Sequence, residues 1–183
     1  MSNALPRPWT VDEFLEWEAS QQERYEFVDG VVFNMGGGTL AHAAIRDNLT
    51  ALLRQELRAT ACRAFSETVK VVTPTHCFYP DLVITCAHVT LTDDRIAEPR
   101  VIIEVLSRST ADRDRGAKWV GYQEIPSLEH YVLVAQHERR IDCFTRTDGG
   151  WLLQVLRPPA REVALESIGT TLALDAIYDG SGT

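Results

Sequence analysis

The sequence has no apolar run long enough to cross a bilayer, so no transmembrane helix is predicted. Residues 1–7 show neither a basic start followed by an apolar core nor a small-residue cleavage site, and no secretory signal is expected. Basic residues are also few, because 18 lysines and arginines face 26 aspartates and glutamates, for a net charge of -8. This balance argues against tight, non-specific binding to DNA.

Closely spaced cysteine pairs are also missing. The four cysteines are Cys62, Cys77, Cys86 and Cys143. Structural zinc ligands normally come in close pairs, so a zinc site that combines Cys62, Cys77 and Cys86 with His76 and His88 is the weaker hypothesis. In a chain without a visible signal, the scattered spacing predicts four reduced thiols in a cytoplasmic protein.

Two common catalytic motifs are absent. Three consecutive glycines, Gly36–Gly38, are not followed by the Lys-Ser/Thr pair of a phosphate-binding loop, so they are predicted to form a flexible hinge. No nucleophile-elbow motif surrounds a serine, which leaves acyl transfer with little support.

The composition that is present is typical of one folded domain. With 183 residues and 45% hydrophobic content, the chain can bury one substantial core, so residues 1–183 are predicted to form a single domain. Thr10 and Glu13 form a T-x-x-E capping box, which predicts a helix over 11–19.

The remaining pattern predicts an α/β protein. Asp29-Gly30 lies between two short apolar alternations and predicts a β-hairpin over 24–35. Further helices are predicted from the spacing of leucines or from polar stretches, and strands from runs of Val, Ile and Phe. These are helices over 40–58, 109–124 and near 175–178, and strands over 63–73, 79–85, 100–106, 130–135, 139–146 and 151–156.

Glu104 is unusual for its position, because it interrupts the apolar run Val101–Leu106, which reads as a central strand. A carboxylate taken out of water there costs several kcal/mol unless a cation or strong donors meet it. Its partner is either a nearby arginine, in a structural ion pair, or a functional cation. This residue alone leaves both open.

Asp81 follows Pro80 at the start of the other apolar strand. An aspartate after proline is often only a turn or strand-end residue. If the two strands are neighbours, however, Asp81 and Glu104 can point to the same end of the sheet and bind one hard divalent cation. Oxygen ligands of this kind suit Mg²⁺ or Mn²⁺ and leave positions for water and a phosphate oxygen.

The order and spacing of these acidic motifs resemble the PD-(D/E)xK nuclease superfamily, and more closely its Uma-type family of restriction endonucleases, over nearly the whole chain. The segments that carry the resemblance are Arg24–Gly30, His42, Pro80–Leu82, Glu104–Ser107, and Asp114 through Lys118 to Tyr122. The resemblance implies a restriction-endonuclease-like core, a central mixed β-sheet flanked by helices, with an N-terminal helix and β-hairpin. It also implies hydrolysis of DNA phosphodiester bonds with Mg²⁺ or Mn²⁺, and homodimers are an expectation from this class.

The superfamily lysine would fall at position 106, where this chain has Leu106. The resemblance implies that Lys118 on the following helix replaces it and orients or activates the attacking water, the alternative being a solvated helix lysine. Glu26 is implied to assist at the metal, the alternative being an exposed hairpin glutamate. Substrate contacts are predicted for His42, Ser107, Arg108, Arg113 and Arg115. His42 is equally explained as a capping or core histidine.

Two other functions stay open at this point. A binding or scaffold module that keeps the nuclease fold without turnover is favoured by the negative net charge and the missing local lysine. The two carboxylates can also be read as an acid and base pair acting on a glycosidic bond, although their strand context makes this the weakest reading.

Overall fold

The structure is a computed structural model, which describes residues 9–107 and 111–183. Its helices are α1 (Val11–Glu18), α2 (Leu40–Glu56), α3 (Ala111–Arg115), α4 (Ala117–Gln123) and α5 (Leu174–Ile177). Its strands are β1 (Tyr25–Val28), β2 (Val31–Asn34), β3 (Arg63–Ser66), β4 (Val71–Val72), β5 (Cys77–Phe78), β6 (Leu82–Thr85), β7 (Val101–Leu106), β8 (His130–Ala135), β9 (Ile141–Thr147), β10 (Gly150–Leu156), β11 (Glu162–Leu165) and β12 (Thr170–Ala173). No helix within these two ranges is long and apolar enough to cross a membrane.

The strands form one large mixed sheet and two small sheets. The large sheet has the order β10-β9-β8-β7-β6-β3, in which β7 and β8 are parallel and the other neighbours are antiparallel. Helices α3 and α4 form the crossover that a parallel pair requires. The small sheets have the orders β2-β1-β5-β4 and β11-β12. This confirms the predicted α/β class with a central mixed sheet.

Helices cover both faces of the large sheet. Ile103 of β7 lies in the hydrophobic cluster that contains Leu49 of α2, whereas Ile102 lies in the cluster that contains Tyr122 of α4. Since side chains alternate along a strand, Glu104 shares the α4 face with Ile102. The alternation therefore directs this carboxylate toward α4.

The N-terminal helix and hairpin are formed as predicted. The Thr10 side chain accepts a hydrogen bond from the Glu13 backbone, and the Glu13 side chain accepts one from the Thr10 backbone, which completes the capping box. Asp29 (φ 50°) and Gly30 (φ 78°) form the two-residue turn between β1 and β2. Two consecutive positive φ angles are what a tight hairpin turn demands.

Other predicted elements are divided or shortened in the structure. The segment 63–73 separates into β3 and β4, which belong to different sheets, with Glu67 at φ 49° between them. The predicted helix over 109–124 breaks at Gly116, which has φ -109° and ψ -100°. The β11-β12 hairpin was not predicted. Strand propensity reports a local preference, whereas pairing partners decide where a strand ends.

The prediction of four reduced thiols is wrong, because Cys62 and Cys86 form a disulfide. They lie directly before β3 and directly after β6, whose register pairs Arg63 with Thr85. The two cysteines therefore face each other across neighbouring strands. Their separation of 24 residues gives no local signal of this pairing.

The two remaining cysteines, Cys77 and Cys143, are buried thiols. Burial raises the pKa of Cys77 to about 12 and that of Cys143 to about 11. We therefore expect a thiol reagent at mildly alkaline pH to label the native protein only slowly, because the reactive thiolate is both rare and shielded.

Unfolding in denaturant without reductant should expose two reactive thiols, and unfolding after reduction should expose four. Counting labelled thiols spectrophotometrically measures both states. Four reactive thiols in unreduced, unfolded protein would contradict the Cys62–Cys86 disulfide.

Candidate functional site

Two acidic residues meet at the end of the large sheet where β6 begins and β7 ends. Leu82 pairs with Ile103 in the antiparallel register, so Asp81 stands opposite Glu104 at the next position. The Asp81 backbone N–H donates to Glu104 Oε2 at 3.4 Å, and Asp81 Oδ2 accepts from the Val105 N–H at 2.7 Å. The strands thus hold the two carboxylates side by side.

Lys118 reaches the same place from α4. Its Nζ lies 2.8 Å from Glu26 Oε1 and 3.0 Å from Glu104 Oε1. Asp114, one helical turn earlier, adds a third carboxylate at 3.4 Å, and the Tyr122 hydroxyl donates to Glu104 Oε1 at 3.0 Å. All five side chains are buried. Lys118 is therefore not the solvated helix lysine of the alternative reading.

Two glycines allow α4 to carry Lys118 into the cluster. A Cβ at Gly116 would lie 2.9 Å from the Asp112 carbonyl oxygen, so the break between α3 and α4 favours a residue without a side chain. A Cβ at Gly121 would lie 2.7 Å from Phe78 of β5. Close packing of α4 on the small sheet thus places Lys118 between its carboxylate partners.

The charges of this cluster are unequal, because three carboxylates surround one ammonium group. Burial, supported by the neighbouring carboxylate of Asp114 and opposed by Lys118, raises the pKa of Glu104 to about 8. Burial alone would lower the pKa of Lys118, but the facing carboxylates of Glu104 and Glu26 outweigh it and raise that pKa. Lys118 is thus held as an ammonium, and the excess of carboxylates favours a proton or a further cation.

Glu26 enters from β1 of the small sheet and has no exposed surface. The Tyr79 backbone N–H donates to its Oε1 at 3.0 Å. Its Oε2 has no hydrogen-bond partner among the described residues, and the Arg113 guanidinium lies 3.5 Å from it. The exposed hairpin glutamate of the alternative reading is thus not found.

His42 lies in the first turn of α2, beside the acidic pair. Its backbone N–H donates to the Thr39 side chain, which caps the helix, and its Nε2 lies 3.2 Å from Asp81 Oδ2. The hydrogen bond to Asp81 raises the pKa of His42 despite partial burial. A protonated imidazole is therefore favoured next to this carboxylate.

The acidic pair opens into a cleft of about 910 Å³. The segment Gly36–Gly38 and the start of α2 form part of its wall, and its lining includes Asp81, Glu104, His42 and Ser107. The structure therefore gathers these predicted residues around one solvent-connected space, with Lys118 and Glu26 buried behind Glu104.

Of the arginines predicted to contact substrate, Arg113 lines the cleft and Arg115 does not. Arg113 lines the cleft, and its guanidinium lies over the Phe33 ring, 4.5 Å from the ring centroid. Arg115 is not in that lining and instead forms an ion pair with Asp142 of β9. Sequence position within one short helix did not distinguish them, because neighbouring helical residues point in different directions.

Arg108 lies outside the described residues. Two further cations line the cleft that were not predicted as substrate contacts, Arg24 and Arg46. Arg46 stands one helical turn after His42, a spacing that could have revealed it. Both already have partners, since Arg46 pairs with Glu67 and Arg24 donates to the Glu67 carbonyl oxygen at 3.0 Å.

The chain is similar to known proteins in sequence and in fold. Residues 11–176 match the model of the family described as "Uma2: Putative restriction endonuclease". The chain is 34% identical over 179 residues to the "Uncharacterized protein slr1290" of Synechocystis sp., which covers 92% of this chain and 90% of that protein. A second Synechocystis protein, "Uncharacterized protein sll1609", is 29% identical over 160 residues, with 84% and 90% covered.

The fold is similar to a crystal structure from Anabaena variabilis, described as a putative nuclease belonging to DUF820. The TM-score is 0.77 at 16% identity, and 93% of this chain and 98% of that chain are covered. This confirms the predicted restriction-endonuclease-like fold. Because the family model spans most of the sequence, the chain belongs to the Uma2 family of putative restriction endonucleases.

Proposed function

We propose that the protein is a metal-dependent endonuclease that hydrolyses phosphodiester bonds in DNA. One observation carries this proposal: Asp81 and Glu104 stand side by side at an open cleft, with the Lys118 ammonium 3.0 Å from Glu104. Phosphodiester hydrolysis needs charge stabilisation and positioning more than covalent chemistry from the protein. Paired acids beside a fixed cation supply both.

Mg²⁺ or Mn²⁺ is the cofactor that these residues fit. Asp81 and Glu104 offer hard oxygen ligands, and the carboxylates around Lys118 outnumber it. In the described part of the chain, no group of three or more His, Cys, Asp or Glu has metal-binding spacing, so the proposal gives the ion two protein ligands. When bound, such an ion lowers the pKa of a coordinated water and offsets charge on the phosphoryl oxygens.

Lys118 provides the fixed positive charge of the proposed mechanism. Its protonated Nζ lies behind Glu104 and is held by three carboxylates, so it would act by fixing Glu104 and by stabilising negative charge that develops in the transition state. Glu26 and Tyr122 act as positioning residues, because one holds Nζ and the other holds Glu104. This assigns the role of the superfamily lysine to α4.

Substrate phosphates are proposed to contact His42, Ser107 and Arg113, which line the cleft. Contacts of this kind position a strand without reading its bases. Arg46 is already paired with Glu67, and the chain has a net charge of -8. We therefore expect DNA binding that is weak and falls further with salt.

The rival proposal is an inert scaffold with the same fold. It is favoured by Leu106, which occupies the usual lysine position and is buried in the core, and by the three carboxylates that already engage Lys118. An inert scaffold needs neither a metal nor Asp81 at the cleft.

Titration of Mn²⁺ into the protein, followed by calorimetry, separates the two proposals. We expect the wild type to bind Mn²⁺ and Asp81→Ala to lose at least about a hundredfold in affinity, since even outer-shell changes cost about 10- to 100-fold. The same samples should nick supercoiled plasmid only when Asp81 is present. Asp175→Ala, at a side chain that is 89% exposed, is the matched control.

If wild type and Asp81→Ala bind Mn²⁺ equally, or neither binds it, the metal site is wrong and the scaffold proposal stands. The homodimer, the single domain over 1–183 and the cytoplasmic location expected from the sequence stay predictions. A homodimer would offer one site to each strand of a duplex.

A further inference from the structure

The outer edge of the large sheet is an unusual surface. Strand β10 (Gly150–Leu156) ends the strand order, and no strand in the described ranges pairs with its free side. Proteins normally protect such edges with lysine, proline or a covering segment. β10 contains no charged residue and no proline, and Leu152, Leu153 and Val155 are 59%, 47% and 47% exposed.

We propose that this edge is the interface of a homodimer, in which the β10 strands of two copies pair antiparallel about a two-fold axis at Leu153. Two-fold pairing is the commonest way for identical chains to associate. Because each copy uses the same edge, the contact closes at two copies. The six-stranded sheets thereby join into one continuous sheet.

The backbone of β10 suits this pairing. Thr147 and Gly150 pair across a two-residue turn, and the residues that flank such a turn form a hydrogen-bonded pair. Hydrogen-bonded and non-hydrogen-bonded pairs alternate along antiparallel strands. Gly150 and every second residue after it therefore direct their backbone N–H and C=O groups toward β9. The backbone groups left at the free edge are those of Trp151, Leu153 and Val155.

A two-fold axis at Leu153 sets these same residues against each other. Leu153 faces Leu153 of the second copy, and Trp151 faces Val155 of the second copy. Unpaired N–H and C=O groups therefore meet their complements, and the side-chain pairs Leu153–Leu153 and Trp151–Val155 are apolar. Aromatic and β-branched pairs across strands are among those that stabilise a sheet.

The ends of the strand are complementary in charge. Asp148 precedes β10 and Arg157 follows it, and neither forms an ion pair with another described residue. In the proposed register, Arg157 lies opposite Gly149 of the second copy, next to its Asp148. Each end of the paired strands thus brings together two opposite charges that have no ion-pair partner among the described residues of one copy.

The interface is separate from the proposed catalytic cleft. Three strand spacings lie between β7 and β10 in each copy and one between the two β10 strands. With about 4.8 Å per spacing, the two Glu104 residues are separated by about 34 Å in the direction across the strands. The residues of each cleft come from one copy, so loss of the dimer and loss of catalysis can be distinguished.

Light scattering after size-exclusion chromatography tests the proposal. The wild type should have about twice the chain mass of 20.5 kDa. Leu153→Lys should halve that mass, because it sets two like charges opposite each other at the axis. Leu91→Lys makes the same change at a loop residue that is 78% exposed and should stay dimeric. A monomeric wild type, or a dimeric Leu153→Lys, overturns the proposal.

Cysteine cross-linking tests the register without relying on the folding of the lysine variant. Leu153→Cys should give a covalent dimer on oxidation, because residues in a hydrogen-bonded pair have Cα atoms about 5.5 Å apart, within disulfide range. Leu152→Cys should cross-link far less, since residue 152 lies opposite Gln154. Native Cys77 and Cys143 are buried and do not compete. Equal cross-linking of the two variants, or none in either, overturns the proposed register.

Discussion

Replacement of Glu104 by glutamine is expected to abolish Mg²⁺- or Mn²⁺-dependent cleavage of DNA by the purified protein. Metal-ion catalysis is worth several kcal/mol of transition-state stabilisation, and about 4 kcal/mol corresponds to roughly a thousandfold in rate. Glutamine keeps the size of Glu104 and can still accept the Tyr122 hydrogen bond, but it removes one of the two proposed anionic ligands.

The fold is expected to survive this substitution. Lys118 retains the carboxylates of Glu26 and Asp114, so no buried ammonium is left alone. Plasmid nicking measures the activity, and circular dichroism measures the fold. Glu162→Gln, at an exposed residue of β11, is the matched control. Undiminished cleavage by Glu104→Gln would show that Glu104 is not part of the catalytic site.

Lys118→Met is expected to destabilise the protein by about 3–5 kcal/mol, the usual cost of removing one partner from a buried ion pair. The ammonium is the cation shared by Glu26, Glu104 and Asp114, all of which are buried. Methionine fills similar space but leaves these carboxylates without their shared cation. Cleavage should be lost together with stability.

Urea unfolding measures this change as a lower transition midpoint. Arg139→Met is the matched control, because it breaks a surface pair with the exposed Asp175 and should cost no more than about 1 kcal/mol. Adding Glu104→Gln to Lys118→Met should recover part of the lost stability, since one buried carboxylate is removed and the effects of contacting residues do not add. Unfolding of Lys118→Met at the wild-type midpoint would contradict the proposed role of Lys118 in the fold.

The position of Lys118 also explains how the site manages without the usual superfamily lysine. Leu106 belongs to the hydrophobic cluster beneath α4, so position 106 serves packing. The α4 helix crosses the same face of the sheet and brings an ammonium to Glu104 from above. In the usual superfamily signature, the acid and the lysine lie on the same strand. Here the lysine lies on α4, so the proposed chemistry depends on how that helix packs on the sheet.

Several features of this protein followed from the sequence by itself. The capping box starts α1 and the Asp29-Gly30 turn closes the hairpin, because both depend on neighbouring residues. Glu104 was anomalous within its own strand, since burial of a carboxylate demands a partner wherever it occurs. Short-range physical chemistry was sufficient for each of these.

Tertiary structure alone decided which partners these residues meet. The excess of three carboxylates over one lysine arises only when β1, β7 and α4 come together. The Cys62–Cys86 disulfide likewise depends on the pairing of β3 with β6. The periodicity of apolar residues predicts whether a segment forms a helix or a strand. The strand register and the path of the chain between strands decide which residues that segment contacts. The sequence therefore identified Glu104 as a buried charge, and the packed sheet and helix determined that Lys118 meets it.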